Sequence, residues 1–187
     1  MKTGISALRM IPNQITLARI ACVPLLMYLV LSGSNLGGIL AMILFLLAAV
    51  SDAVDGYIAR SYNQTSTFGK FADPIADKLL ISGSLIAFVQ LQELSAAAVM
   101  VIVAREFLVT GLRILAISEG TTISARLLGK LKTISQVALV LLILVKRSFA
   151  LSGPEVSTAL AVLLGLALFL SVVSAAEYFY RSRSLFA

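Results

Sequence analysis

The sequence contains no histidine and a single cysteine, Cys22. Without histidine there is no imidazole to act as general base, phosphate carrier or metal ligand. One thiol excludes a disulfide framework and a cysteine-rich metal site. Cys22 sits within an apolar run and reads as a small buried side chain. Charge is scarce as well: 13% of the 187 residues are Asp, Glu, Lys or Arg, about half the share of a soluble domain. A cytosolic enzyme, a secreted disulfide scaffold and a disordered tail are thereby excluded, and any acid–base or metal chemistry falls to carboxylates.

What is abundant is apolar surface: 59% of the residues are hydrophobic. The remaining charge is basic, with 15 Lys and Arg against 9 Asp and Glu, a net charge of +6. With so little polar surface, that excess belongs at membrane boundaries rather than on a nucleic-acid-binding face. Crossing the hydrocarbon core takes about 20 mostly apolar residues per helix. Six stretches meet that length: Pro12–Leu31, Leu36–Arg60, Gly69–Leu91, Ser95–Ser118, Ala125–Lys146 and Pro154–Arg181. Turn-forming residues such as Ser32-Gly33-Ser34-Asn35 and Ser152-Gly153-Pro154 separate them. The runs are too long and continuous for a β-barrel. The fold class is therefore all-α, a polytopic membrane protein of six transmembrane helices. Residues 1–11 form an N-terminal interfacial segment, amphipathic through Ile5, Leu8 and Arg9, and residues 12–187 form one transmembrane domain. Arg19 interrupts the first apolar run, so that helix is read as retained rather than as a signal peptide.

If six helices alternate, Lys2, Arg9, Arg60, Lys70, Arg105, Arg113, Arg126, Lys130, Lys132, Arg181 and Arg183 fall on one side. Only Lys146 and Arg147 fall on the other. The positive-inside rule then puts both termini and the polar connections near 60–70 and 118–127 in the cytoplasm.

Four of the nine acids lie in one window, as Asp52 and Asp55 at the end of the second helix and Asp73 and Asp77 at the start of the third. Spacings of three and four return side chains to the same helix face. A short polar connection folds the two helices antiparallel and brings the pairs together. Four carboxylates at membrane depth require neutralisation. Hard divalent cations suit them, and two Mg²⁺ balance four carboxylates. Paired metals are a common means of displacement at phosphorus. The plainer alternative, helix capping or pairing with nearby bases, suits Asp73 before Pro74 best. Gly56 and Gly69 leave room for a ligand near the backbone, although each could equally be helix-packing space. Ala59 is a small wall compatible with a flat nucleotide, and Arg60, Thr67 and Lys70 can serve phosphate or ribose oxygens. Lys70 also suits interfacial snorkelling.

On the fourth helix Glu106, Thr110 and Arg113 share a face, with Arg105 on its flank, and Lys130 opens the fifth helix. Cations at that level suit a dianionic ligand such as a phosphate monoester. An Arg105–Glu106 or Glu106–Arg113 pair could hold such a pocket open. For Arg126, Lys130 and Lys132 contact with anionic lipid is an alternative. Arg19 reaches either a ligand phosphate or lipid, and Asn13 either caps the first helix or contacts a ligand. Glu177 and Arg181, four apart, read as an ion pair. Tyr178, Phe179, Tyr180 and Phe186 read as an interfacial aromatic belt.

The pattern D-x₂-D-G-x₂-A-R-x₈-G-x₃-D-x₃-D from Asp52 to Asp77 resembles the signature of the CDP-alcohol phosphotransferases at every fixed position. That resemblance implies a six-helix membrane enzyme, a homodimer, and two divalent cations, Mg²⁺ or Mn²⁺, on Asp52, Asp55, Asp73 and Asp77. It also implies Asp77 as base for the acceptor hydroxyl. The CDP-diacylglycerol site would comprise Asn13, Asp52, Gly56, Ala59, Arg60, Thr67, Gly69 and Lys70. The segment from Ile11 to Arg19, the block from Ala104 to Arg113 and the block from Gly129 to Thr133 resemble the bacterial branch that makes phosphatidylglycerol phosphate. The likeness implies glycerol 3-phosphate as acceptor, held by Arg105, Arg113 and Lys130, in the inner membrane of a bacterial cell. Other acceptors in the family, namely inositol phosphate, serine and phosphatidylglycerol, are the nearest alternatives. A cation-coupled transporter is the alternative from another class, but it would usually show an internal repeat, and none is visible.

Overall fold

A computed structural model describes residues 11–62, 67–119 and 127–185, with side chains at 11–13, 15, 52–62, 67–74, 77, 117, 118, 184 and 185 outside the description. Six α-helices follow in order: α1 Ile11–Leu31, α2 Asn35–Tyr62, α3 Thr67–Gln90, α4 Ala96–Ser118, α5 Leu127–Ser148 and α6 Pro154–Arg181. A 3₁₀ turn, Ser182–Leu185, ends the described chain, and no strand occurs among the described residues. Each helix lies within two residues of the stretch expected from hydropathy. The breakers that limited those stretches also terminate the helices. Gly33 adopts φ +69° between α1 and α2, where an L side chain would be strained. Pro154 opens α6 at a position where its missing N–H costs nothing.

Among the described residues the principal packing contacts trace a closed circuit: α1 on α3, α3 on α4, α4 on α6, α6 on α5, α5 on α2, and α2 back on α1. α3 also touches α5 across the interior. Leu26, Phe45, Leu85, Phe88, Ile102, Leu139 and Ile143 are fully buried and form the apolar part of the core. Small residues set two close crossings. A Cβ on Gly83 would lie 2.7 Å from Val23 Cγ1, so α1 and α3 approach closely at the Ser82–Ser84 stripe. A Cβ on Gly38 would lie 2.8 Å from Ser148 Oγ and 3.2 Å from Ser148 Cα, which joins α2 to the end of α5.

Polarity runs opposite to that of a water-soluble bundle. Tyr28, Leu36, Leu47, Met100, Ile134, Val162 and Phe169 are each more than 60% exposed, while Thr16, Arg19, Ser84, Glu106, Lys132, Gln136 and Ser171 are buried. An apolar exterior around a polar interior belongs to a membrane protein. By length and composition α5 and α6 can each cross a membrane, and α1, α2 and α3 carry shorter apolar stretches at Thr16–Leu31, Asn35–Ser51 and Lys78–Gln90. The six expected helices are therefore present, but two of them satisfy the spanning criterion as continuous apolar helices. In α4 the run is interrupted by Arg105, Glu106 and Arg113, the residues that build the site.

Away from that site, the turn after α3 is tied to the end of α5. Glu93 pairs with Lys146 at 2.5 Å and with Arg147 at 3.4 Å.

Candidate functional site

Four helices contribute to a cavity of about 410 Å³. α4 supplies Arg105, Glu106, Val109, Thr110 and Arg113; α5 supplies Gly129, Lys130, Lys132, Thr133 and Ile134; α3 supplies Lys78 and α6 supplies Tyr178. On α4 the spacing from Glu106 through Thr110 to Arg113 keeps one face toward the cavity. The same register exposes Phe107 and Leu108 at 56% and 57% on the apolar exterior.

Glu106 is the hub. Its carboxylate, 5% exposed, bonds to Lys132 Nζ of α5. It also lies 3.6 Å from Lys78 Nζ of α3 and 3.5 Å from Arg105 Nη1. Gln136 Nε2 donates to it at 3.4 Å and lies 3.5 Å from Ser171 Oγ of α6. A buried carboxylate needs such company, because its desolvation is costly unless opposite charge and donors surround it. Among the described residues the cavity wall holds five cations, Lys78, Arg105, Arg113, Lys130 and Lys132, and one carboxylate, Glu106. Its formal surplus of positive charge suits an anion, and guanidinium groups offer two parallel N–H donors to phosphate oxygens.

The three residues expected to hold the acceptor, Arg105, Arg113 and Lys130, line this one cavity together. Arg105 makes the neighbouring pair with Glu106, as one of the two expected arrangements required. Arg113 instead donates from Nη2 to Tyr178 Oη at 3.1 Å, and its guanidinium carbon lies 5.9 Å from the Tyr178 ring centre. Lys130 is exposed at the rim. Lys132 is 4% exposed and held by Glu106, so it does not serve anionic lipid. Arg19 is 4% exposed in the bundle interior, which excludes a lipid-facing role for it. Arg126 lies outside the described residues. Glu177 pairs with Arg181 at 3.3 Å as expected.

Two wall residues were missed from the sequence. Lys78 follows the last motif aspartate directly, which was the available signal. Tyr178 was grouped with its aromatic neighbours as an interfacial belt, yet it is 8% exposed while Phe179 and Tyr180 are 40% and 68% exposed. Helical periodicity relative to Ser171 and Ser174 would have separated it from them. Phe186 lies outside the described residues.

The carboxylate motif occupies helical backbone on either side of the connection 63–66, with Asp52 and Asp55 in the second half of α2 and Asp73 and Asp77 in the first half of α3. Gly56, Ala59 and Arg60 lie on α2, Thr67, Gly69 and Lys70 open α3, and Asn13 lies at the start of α1. The side chains of Asn13, Asp52, Asp55, Ala59, Arg60, Thr67, Lys70, Asp73 and Asp77 are outside the described residues. As a donor set the four carboxylates suit hard divalent cations, being all oxygen with no thiolate or imidazole among them. α3 connects this motif to the cavity, since Lys78 succeeds Asp77 and reaches Glu106.

A six-helix bundle with this carboxylate pattern beside a cationic cavity defines a class, and comparison with known proteins agrees with it. The model of the CDP-alcohol phosphatidyltransferase family matches residues 9–173, and the chain belongs to that family. A Bacillus subtilis relative named CDP-diacylglycerol–glycerol-3-phosphate 3-phosphatidyltransferase is 42% identical over 186 residues, covering 92% of this chain and 94% of the relative. A Rickettsia bellii protein of the same name is 36% identical, over 94% of this chain and 97% of its own. A Mycobacterium tuberculosis protein named probable phosphatidylglycerophosphate synthase is 36% identical, over 91% of this chain and 80% of its own.

Proposed function

We propose that the chain transfers the phosphatidyl group of CDP-diacylglycerol to the sn-1 hydroxyl of sn-glycerol 3-phosphate, giving phosphatidylglycerol phosphate and CMP. The observation that carries this reading is the cavity whose described lining brings five cations and one carboxylate together. A phosphate dianion offsets much of that surplus, whereas a neutral polyol or a zwitterionic amino acid leaves the charges uncompensated. The names of the Bacillus and Rickettsia relatives accord with the same acceptor.

In this reading Arg105, Arg113 and Lys130 hold the acceptor's phosphate, and Glu106 keeps Lys132 and Lys78 in the wall. The carboxylate of Asp77 removes the proton from the sn-1 hydroxyl. That oxygen attacks the phosphorus bearing diacylglycerol, and the P–O bond to CMP breaks, so one bond forms as one is lost. Asn13, Asp52, Gly56, Ala59, Arg60, Thr67, Gly69 and Lys70 receive the CDP headgroup. The two glycines give the phosphates access to backbone, and Arg60 and Lys70 offset negative charge on CMP. Asp52, Asp55, Asp73 and Asp77 would hold two divalent cations, Mg²⁺ or Mn²⁺, which when bound neutralise the pyrophosphate and the charge developing on the leaving group. The six helices cross the inner membrane of a bacterial cell, with both termini and the site facing the cytoplasm. Residues 1–11 lie along the interface, and two copies form a homodimer.

The test is CMP release from CDP-diacylglycerol by the detergent-solubilised protein, with glycerol 3-phosphate, serine, inositol, inositol phosphate and phosphatidylglycerol each supplied as acceptor. Turnover is expected with glycerol 3-phosphate alone. Equal or faster turnover with another acceptor would refute the assignment.

A further inference from the structure

α6 carries three buried residues with hydroxyl groups on one face: Ser171, Ser174 and Tyr178, at 0%, 2% and 8% exposure. Steps of three and four place them in one row. Each of the three meets a residue of the cavity or its hub. Ser171 lies against Gln136, which bonds to Glu106. Ser174 Oγ accepts from Arg105 Nη2 at 2.9 Å, and Tyr178 Oη accepts from Arg113 Nη2 at 3.1 Å. The Ser174 hydroxyl proton is engaged by the Leu170 carbonyl at 2.5 Å, so its lone pairs remain for Arg105.

Buried hydroxyls in an apolar helix are costly without partners. Here the partners are two guanidinium groups from the facing helix. An arginine side chain has many rotamers, and immobilising it on binding a ligand lowers affinity. A guanidinium already held by one N–H has lost much of that freedom and presents its remaining donors in a fixed plane.

We propose that Ser174 and Tyr178 are positioning residues that aim Arg105 and Arg113 at the phosphate of the acceptor, so that α6 tunes affinity for a phosphorylated acceptor through the two arginines. The inference rests on the reading of this cavity as the glycerol 3-phosphate site.

The test measures KM for glycerol 3-phosphate and for CDP-diacylglycerol in Tyr178→Phe and Ser174→Ala, each alone and combined with Arg113→Ala or Arg105→Ala respectively. Tyr178→Phe keeps the ring and the packing, and Ser174→Ala removes one oxygen. Each should raise the acceptor KM by about three- to tenfold, the effect of one lost hydrogen bond. KM for CDP-diacylglycerol should stay unchanged, and the increments should vanish once the partner arginine is absent. An unchanged acceptor KM, an equal rise in both KM values, or full additivity with the arginine variants overturns the proposal. If Arg105→Ala and Arg113→Ala themselves leave the acceptor KM unaltered, the assignment of the cavity fails as well. If they raise it while the α6 variants do not, only the positioning role fails.

Discussion

Replacing Glu106 with glutamine removes the single negative charge from the hub while nearly preserving its shape. Lys132, 4% exposed, would keep a hydrogen-bond acceptor but lose its counter-charge within the bundle. Removing one member of a buried pair costs about 3–5 kcal/mol, because the other is left as an uncompensated charge. The remaining partners add little. Lys78 stands 3.6 Å away with its side chain 23% exposed, close to the surface regime, where a pair is worth about 0–1 kcal/mol. Arg105 retains its bond to Ser174. The loss is therefore governed by Lys132 and should be about 3–4 kcal/mol. Denaturant titration of the protein in detergent micelles, followed by helical circular dichroism, measures it. In the background of Lys132→Met the same substitution should cost at least about 2 kcal/mol less, since the stranded charge is gone. A Glu106→Gln variant within about 1 kcal/mol of wild type, or equal costs in the two backgrounds, would refute the account of the hub.

Asp77→Asn should abolish CMP release, with the helical spectrum and unfolding midpoint retained; wild-type-like turnover would remove Asp77 as the base. A chelator should eliminate activity, and added Mg²⁺ or Mn²⁺ should restore it, as read in the same CMP assay. Gly38→Leu should destabilise the protein by about 1–3 kcal/mol through overpacking, because its Cβ would already meet Ser148 Oγ at 2.8 Å; an unchanged unfolding midpoint would argue against the close crossing of α2 and α5.

Hydropathy located all six helices because each apolar run is bounded by residues that cannot continue a helix, such as Gly33 and Pro154. The spacing of Glu106, Thr110 and Arg113, with Arg105 on the flank, likewise predicts a shared polar face, and all four line one cavity. Partners across helices were not legible. Glu106 finds Lys132 and Lys78 on α5 and α3, and no pattern within one helix encodes which neighbour a carboxylate will meet. Lys132 was ambiguous for that reason, since a lysine near a helix start reads alike whether it faces lipid or a buried acid. Tyr178 was misread because the local cluster of aromatics resembled a belt, while burial distinguishes it from Phe179 and Tyr180. The carboxylate motif stands apart: its meaning lies in the exact spacing from Asp52 to Asp77, which was complete in the sequence.

The circuit of helices groups the chain into three consecutive hairpins, α1–α2, α3–α4 and α5–α6, each joined by a short turn and packed against itself. The second and third hairpins divide their charges between them. Glu93 and Glu106 belong to α3–α4 or its turn, whereas Lys146, Arg147 and Lys132 belong to α5–α6. Each of the two hairpins thus carries buried or half-buried charges whose partners include residues of the other. A chain ending after α4 would keep Lys78 and Arg105 beside Glu106 but lack Lys132, and would leave Glu93 without Lys146 and Arg147. The ion pairs that shape the site thus also clasp the second hairpin to the third, once beside the cavity through Glu106 and once at the turn after α3 through Glu93.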